Sequence, residues 1–326
     1  MVGPSSVPEI GPDDALVRVA LAGLCGTDYR IWSGDRPVRY PLILGHEFVG
    51  RVEAVGANVS HLRVGQRVVA EPNYSCGRCP LCLEGNRNLC PRRTTVGIDV
   101  DGAFAELARL PATCCWPVAD SVSDDAAVIA EPLAVVVRAV NRGAPKPHES
   151  AAVVGAGTLG LLAVQVLRAA GAQVLVVSRS ARRFALAREL GATETHAVSE
   201  GPLDDVARRF SGREGVDLVV ETAGTAEAVN HAVALVRPGG RVVLTGLPHE
   251  PTSMSFFPVV RHEITIVGSM IYQDEFPQAL GLLERGRVRT GPLLTHRFDL
   301  AGIDAAFAAH REPDSIKVTV VPRAPG

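Results

Sequence analysis

No apolar run in this sequence approaches the roughly 20 residues that a membrane-crossing helix needs. The opening residues, MVGPSSVPEIGPDD, lack the basic segment followed by an apolar one that marks a secretory leader. Both absences set the expectation of a cytoplasmic chain with no membrane partner. A surplus of charge is missing as well. The 33 basic and 35 acidic residues leave a formal charge of -2, which gives no basic field for a polyanion and argues against nucleic acid as a partner. Internal repeats and low-complexity tracts are also absent, which sets repeat architectures aside.

What is present suits a packed protein. Hydrophobic residues make up 47% of the chain and charged ones 21%, too apolar for disorder. At 326 residues the chain exceeds the size at which one core usually keeps growing, so two domains are expected. From residue 15 to about 110, short β-type runs (16–19, 48–55, 66–70) are broken by Gly and Pro and predict an irregular, mostly β domain. From Ala126 onward, apolar β-branched runs alternate with amphipathic stretches, the pattern of parallel βαβ units. Strands are predicted over 151–154, 174–177, 195–198, 216–220, 241–245 and 264–267, with helices over 158–170, 181–190, 203–210 and 226–235. Six such strands match a doubly wound dinucleotide-binding sheet, an α/β fold. A helix over 276–285 and a strand over 316–321 follow, and this tail is expected to return to the first domain. The predicted division is 1–132, 133–270 and 271–326.

Directly after the strand over 151–154 comes GAGTLG, which places Gly155, Gly157 and Gly160 in a GxGxxG pattern, with Thr158 and Leu159 opening a helix. The glycines suit a tight turn, close approach to a pyrophosphate and close helix–strand packing, while the helix start offers N–H groups to phosphate. An acid that would hold the ribose hydroxyls is expected about 20 residues on, yet Ser178 stands there, followed by Arg179 and, further along, Arg183. A guanidinium pairs with phosphate, so NADP is the expected dinucleotide, with NAD the alternative.

Four of the seven cysteines, Cys76, Cys79, Cys82 and Cys90, crowd into fifteen residues. Four thiolates close a tetrahedron around zinc without an open position, which predicts a structural site on a lobe over 73–92. A catalytic zinc needs about three protein ligands and a vacant position. Cys25 in GLCGTD, His46 and Glu47 in GHE, and Glu131 in AEPLA form a mixed set that meets this need.

In this order, Cys25-Gly26-Thr27-Asp28, Gly45-His46-Glu47, the four-cysteine lobe, Glu131-Pro132 and the GAGTLG loop resemble the zinc-containing medium-chain dehydrogenases over nearly the entire chain. The Glu-Pro pair looks more like the sorbitol and threonine dehydrogenase branch than the branch with a second catalytic cysteine. The resemblance implies a GroES-like catalytic domain beside a Rossmann domain, and a homodimer or homotetramer. It also implies that Cys25, His46 and either Glu47 or Glu131 bind the catalytic zinc.

Two departures stand out. Arg30 occupies the place of a relay histidine, and arginine cannot give up its proton at workable pH. Only fourteen residues precede Ala15, so a first strand typical of the family is expected to be absent.

The function expected is a zinc-dependent hydride transfer between NADP(H) and a small polyol, cyclitol or amino alcohol, with Thr27 accepting the alcohol proton. Two alternatives differ in kind: a catalytically silent zinc- and nucleotide-binding regulator, prompted by Arg30, and a zinc-free quinone or enone reductase on the same fold. A zinc-finger nucleic-acid binder is suggested by the cysteine lobe alone, and the net charge opposes it.

Overall fold

The computed structural model describes residues 2–247, 251 and 253–322. The chain divides into two compact units. One holds the chain up to Pro132, Phe276–Arg285 and the chain from Thr290 onward; the other holds Leu133–Glu275 and Gly286–Arg289.

The first unit begins with β1 (Asp14–Leu24), α1 (Gly26–Trp32), β2 (Glu47–Val55) and β3 (Arg67–Ala70). A small hairpin, β4 (Asn73–Tyr74) with β5 (Thr94–Thr95), flanks α2 (Pro80–Leu83). Next come β6 (Leu107–Pro111), β7 (Cys115–Pro117), α3 (Asp124–Ala127) and α4 (Ala130–Gly143), which carries the chain into the second unit.

The second unit contains β8 (Ser150–Val154), α5 (Thr158–Ala169), β9 (Gln173–Ser178), α6 (Phe184–Glu189), β10 (Glu194–Ala197) and α7 (Leu203–Ser211). It continues through β11 (Val216–Glu221), α8 (Ala226–Leu235), β12 (Val236–Leu244), α9 (Phe257–Arg261) and β13 (Thr265–Gly268). Finally α10 (Phe276–Glu284), β14 (Leu294–Asp299), α11 (Ile303–Ala309) and β15 (Lys317–Val321) belong to the first unit.

In the first unit the sheet runs β14-β15-β1-β2-β3-β7, with β6 also pairing β1. β1 is its longest strand because its apolar residues face a buried cluster. Val17, Val19, Ala22 and Leu24 pack there with Phe48, Val52, Val68, Val318 and Val320. β15 lies antiparallel to β1, with Leu24 opposite Val318. The chain ahead of Asp14 contributes no strand among the described residues.

All strands of the second unit are parallel, in the order β10-β9-β8-β11-β12-β13. Every residue of β8 and β11 is buried, as expected of strands covered on both faces; their apolar residues fill the core, and Ser150, Asp217 and Glu221 are buried with hydrogen bonds. Strand order reverses between β8 and β11, which leaves a crevice at the carboxyl ends of these two strands.

Several boundaries differ from the sequence reading, and two of them have a visible local cause. The helix expected over 181–190 opens with a 3-10 turn, Ala181–Arg183, because the Ser180 hydroxyl accepts from Arg182 N before α6 begins. β12 starts at Val236 rather than 241, despite Pro238, Gly239 and Gly240. A register shift between Val216 and Leu218 lets Val236 pair with β11.

One buried carboxylate ties three neighbouring strands of the second unit. Asp217 accepts from Arg237 Nε (2.8 Å), Ser150 N (2.9 Å) and Ser150 Oγ (2.8 Å). Burial alone would raise this carboxyl, but the Arg237 and Ser150 hydrogen bonds outweigh it and hold the group below its ordinary value. Asp217→Asn should therefore cost about 2 kcal/mol at pH 7. A depressed carboxyl contributes stability above the unfolded pKa and loses it as pH falls, so the deficit should shrink below about pH 4. Urea unfolding of both proteins across pH 3 to 7 checks this, and a pH-independent deficit would contradict it.

Candidate functional site

The residues expected to hold a catalytic zinc lie in the first unit and are organised by Asp28. β1 ends at Leu24, Cys25 takes an extended conformation, and α1 starts at Gly26. From the first turn of α1, Asp28 Oδ2 accepts from Cys25 N (2.9 Å). Its other oxygen accepts from Gly45 N (3.3 Å) and pairs with His46 Nδ1 (3.1 Å). A carboxylate only accepts, so His46 carries its proton on Nδ1 and leaves Nε2 free to ligate. Gly45 sits at φ +97, where an added Cβ would lie 2.9 Å from Phe104 N, so only glycine brings His46 to this place.

Cys25, His46 and Glu47 each offer a ligand atom within 4.8 Å of the others. A thiol, an imidazole and a carboxylate form a donor set that fits zinc. Burial disfavours an imidazolium at His46. The charge and hydrogen bond of Asp28, helped by Cys25, outweigh burial and raise this histidine well above its ordinary value in the metal-free protein.

Glu47 has a second partner that the sequence did not disclose. Lys317, the first residue of β15, donates from Nζ to Glu47 Oε2 (2.6 Å), Glu47 Oε1 (2.8 Å) and Leu24 O (3.3 Å). Both side chains are almost fully buried. Burial disfavours the ammonium, but Glu47 first, then Cys25 and Glu131, keep Lys317 charged and raise it above its ordinary value. Glu131 is buried in the first turn of α4, and its charge reaches Lys317; the group that converges on one point is Cys25, His46 and Glu47.

Thr27 and Arg30 are half-buried on α1. His310, at the end of α11, stacks on Tyr29 of α1 (5.8 Å between centroids). Burial first, then the Lys317 charge, push His310 down to about 4, so it is neutral at physiological pH. Asp28 stood in the quoted CGTD motif without an assigned role. Lys317 showed only as a lone charge heading the apolar run KVTVV, and His310 gave no signal.

The four lobe cysteines come together around α2. Their sulfurs lie 3.4 Å (Cys79–Cys82), 3.8 Å (Cys79–Cys90) and 3.5 Å (Cys76–Cys90) apart, and none forms a disulfide. A tetrahedron with Zn–S bonds of about 2.3 Å puts its sulfurs about 3.8 Å apart, so this cage fits the ion. Cys79, Cys82 and Cys90 are the buried cluster of the lobe, while Leu83 and Leu89 point to solvent. With so little apolar core, a bound ion would order the lobe. Arg92 adds hydrogen bonds to the cage, from its backbone N to Cys90 Sγ (3.4 Å) and from Nη2 to Cys76 Sγ (3.3 Å).

In the second unit, Gly155 follows β8 at φ +106 and Gly157 precedes α5. A Cβ on Gly160 would lie 2.0 Å from Gly155 O, so the close packing expected of this glycine is real. Space beside Gly157 is open, and Thr158 and Leu159 begin α5. Ser178 ends β9 half-buried, Arg179 is exposed, and Arg183 Nη1 donates to Ala156 O (3.1 Å) within the glycine loop. Thr222, which sequence reasoning passed over, donates from Oγ1 to Val154 O (3.0 Å) beside the same loop. Glu221 Oε1 accepts from Ala223 N and Gly224 N at the adjoining strand end.

Two family profiles match the chain. One describes the alcohol dehydrogenase GroES-like domain, over residues 11–120; the other, zinc-binding dehydrogenase, covers residues 158–285. The chain is 38% identical over 309 residues to an L-threonine 3-dehydrogenase of Streptomyces coelicolor, covering 92% of this chain and 90% of that protein. It resembles a crystal structure of a zinc-binding dehydrogenase from Sinorhizobium meliloti 1021 bound to NADP, with a TM-score of 0.92, 35% identity and coverage of 98% and 94%. An alcohol dehydrogenase from Escherichia coli CFT073 complexed with NADH gives a TM-score of 0.91, 32% identity and coverage of 97% and 94%. These likenesses bear out the α/β reading of a GroES-like domain with a Rossmann sheet.

If Asp28 orients both Cys25 and His46, Asp28→Asn should weaken metal retention at this site about 10- to 100-fold while leaving secondary structure intact. Competition with a chromogenic chelator, which separates a labile from a retained metal, measures this. Unchanged release would show that the carboxylate is not an orienting partner.

Proposed function

This chain belongs to the zinc-containing medium-chain dehydrogenases, on their sorbitol and threonine dehydrogenase-like branch, which act on CH–OH donors with NAD(P), and from that premise we propose that it interconverts the secondary alcohol and ketone of a small polyol, cyclitol or amino alcohol with NADP(H). The observation that carries this reading is the convergence of Cys25, His46 and Glu47 on one point, with Asp28 bonded to the first two. We assign one catalytic zinc to Cys25 and His46 with a glutamate, and one structural zinc to Cys76, Cys79, Cys82 and Cys90. When bound, zinc supplies Lewis acidity to the substrate oxygen and the nicotinamide supplies or accepts the hydride.

The side chains of this protein do the rest. Cys25 and His46 would hold the metal that receives the substrate oxygen, Asp28 anchoring the backbone of the first and the ring of the second. Thr27, two residues past Cys25, is assigned to take the alcohol proton at Oγ1. Arg30 cannot carry that proton outward, so it leaves by water or a ribose hydroxyl. Gly155, Gly157, Thr158, Leu159 and Gly160 cradle the pyrophosphate at the start of α5. Ser178 lacks the charge that would repel a 2′-phosphate, and exposed Arg179, with Arg183 nearby, supplies a guanidinium to pair with it.

The described residues include no helix long and apolar enough to cross a membrane. Seven free thiols and no disulfide among the described cysteines favour a reducing, cytoplasmic setting. Exposed Phe256, Phe257 and Val260, just ahead of the edge strand β13, favour a homodimer or homotetramer.

The test is dinucleotide reduction by the purified chain against a panel of polyols, cyclitols and hydroxy amino acids, run with NADP and NAD separately. Turnover of at least one secondary alcohol is expected. Binding of dinucleotide with no turnover of any compound would instead favour a regulatory protein. Arg179→Ala should raise KM for NADP about tenfold or more and leave KM for NAD nearly unchanged. Equal effects on both would show that this arginine does not read the phosphate. Thr27→Ala should lower kcat about a hundredfold or more with dinucleotide affinity unaltered, measured by steady-state kinetics beside fluorescence titration.

A further inference from the structure

Glu221 is the last residue of β11 and has no exposure to solvent, yet no cation is among the groups that act on it. Its Oε1 accepts from Ala223 N (2.6 Å) and Gly224 N (2.8 Å). Its backbone oxygen accepts from Thr245 N (3.0 Å) and Gly246 N (3.2 Å). Among the described residues Oε2 has no hydrogen-bond partner. Burial raises this carboxyl above its ordinary value, against the backbone N–H groups of Gly224, Ala223 and Gly246, which lower it. An acid in the interior without a cation is costly, and an oxygen there without a donor adds to the cost. Such a residue persists where the fold needs what it holds in place.

What Glu221 holds is a pair of turns. It stands level with Val154 of β8 on one side and Leu244 of β12 on the other, at the carboxyl end of the sheet. Oε1 binds the turn after β11, 222–224, and the backbone oxygen binds the start of the turn after β12, 245–247. The two turns meet backbone to backbone. A Cβ on Gly246 would lie 2.1 Å from Gly224 N, and one on Gly224, at φ +67, would lie 2.9 Å from Leu247 N. On its other side the first turn abuts the glycine loop, since a Cβ on Gly155 would lie 2.8 Å from Thr222 Oγ1. Glycine loop, first turn and second turn form one continuous wall.

Strand order says which part of a dinucleotide meets this wall. Ser178 and Arg179 lie to one side of the glycine loop, where β9 ends, while β11 and β12 lie to the other. With the pyrophosphate on the glycine loop and the adenosine ribose at Ser178 and Arg179, the nicotinamide half is left with the β11–β12 side. We infer that Glu221 is a positioning residue, whose Oε1 and backbone oxygen together set the two turns against which the nicotinamide half rests. This inference rests on the dinucleotide reading given above. The turns take acceptors from Glu221, not charge.

The experiment titrates the full chain by calorimetry with NADPH and, separately, with adenosine 2′,5′-bisphosphate, which carries the adenosine half alone. Glu221→Asp, one methylene shorter, draws the acceptor back from the first turn. It should weaken NADPH about tenfold and leave the bisphosphate within about twofold of the parent. Glu221→Gln restores the acceptor without the charge and should recover NADPH affinity to within about threefold of the parent. The emission of bound NADPH arises in the reduced ring, so it should differ from the parent in Glu221→Asp and match it in Glu221→Gln. The glutamine variant has nearly the parent shape and keeps the test open if the aspartate variant does not fold.

Equal weakening of NADPH and the bisphosphate in Glu221→Asp would overturn the inference, since the residue would then support the sheet as a whole. So would an NADPH affinity in Glu221→Gln about tenfold below the parent, since the site would then need the charge. A parent chain that takes NADH in place of NADPH moves the same comparison to NADH and AMP. If the parent binds none of these, the dinucleotide reading fails first, and the role of Glu221 falls with it.

Discussion

A carboxylate with no exposure to solvent sits at the junction of three chain segments, and its burial is tolerable only because each oxygen has donors. Asp28 takes the Cys25 N–H, the Gly45 N–H and the His46 ring N–H. Losing any one of these leaves a charged oxygen short of a donor in the interior, at a cost larger than the bond itself is worth. The end of β1, the first turn of α1 and the entry to β2 are therefore fixed relative to one another. Because Asp28 only accepts, it also selects the histidine tautomer. A site assembled from residues 21 positions apart thus acquires the geometry that a metal requires.

Around that constraint the first unit arranges charge in layers. Cys25, Glu47 and Glu131 bring negative charge, and Lys317 answers part of it. His310, held neutral by burial and by the same lysine, adds no further cation beside α1. The cysteine lobe solves a different problem. Its sulfurs already stand near tetrahedral spacing, they leave no place for a substrate, and they replace a hydrophobic core that the lobe does not have.

Local signals in the sequence were readable, and distant ones were not. The parallel strands of the second unit showed because strands covered on both faces are rich in β-branched and other apolar residues, and the glycine loop showed because Gly155 and Gly160 leave no room for a side chain. The four-cysteine spacing and the GHE motif likewise compress a geometric demand into neighbouring residues. Lys317 could not be read. It meets Glu47 across 270 positions, and nothing in KVTVV says which strand will lie beside it. The role of Asp28 was half visible, since its bond to Cys25 N is a local helix-start contact while its bond to His46 is not. β12 begins at Val236, ahead of the expected 241, although Pro and Gly are poor strand residues. A register shift in the neighbouring strand accommodates them.

The proposed chemistry requires two metal environments of different character in one chain. X-ray absorption at the zinc edge of protein purified without added metal, combined with elemental analysis, reads both at once. Two zincs per chain are expected, with an average of about two and a half sulfurs per zinc and the remaining ligands nitrogen and oxygen. A single zinc per chain surrounded by four sulfurs would contradict it, leaving Cys25 and His46 as an arrangement without an ion.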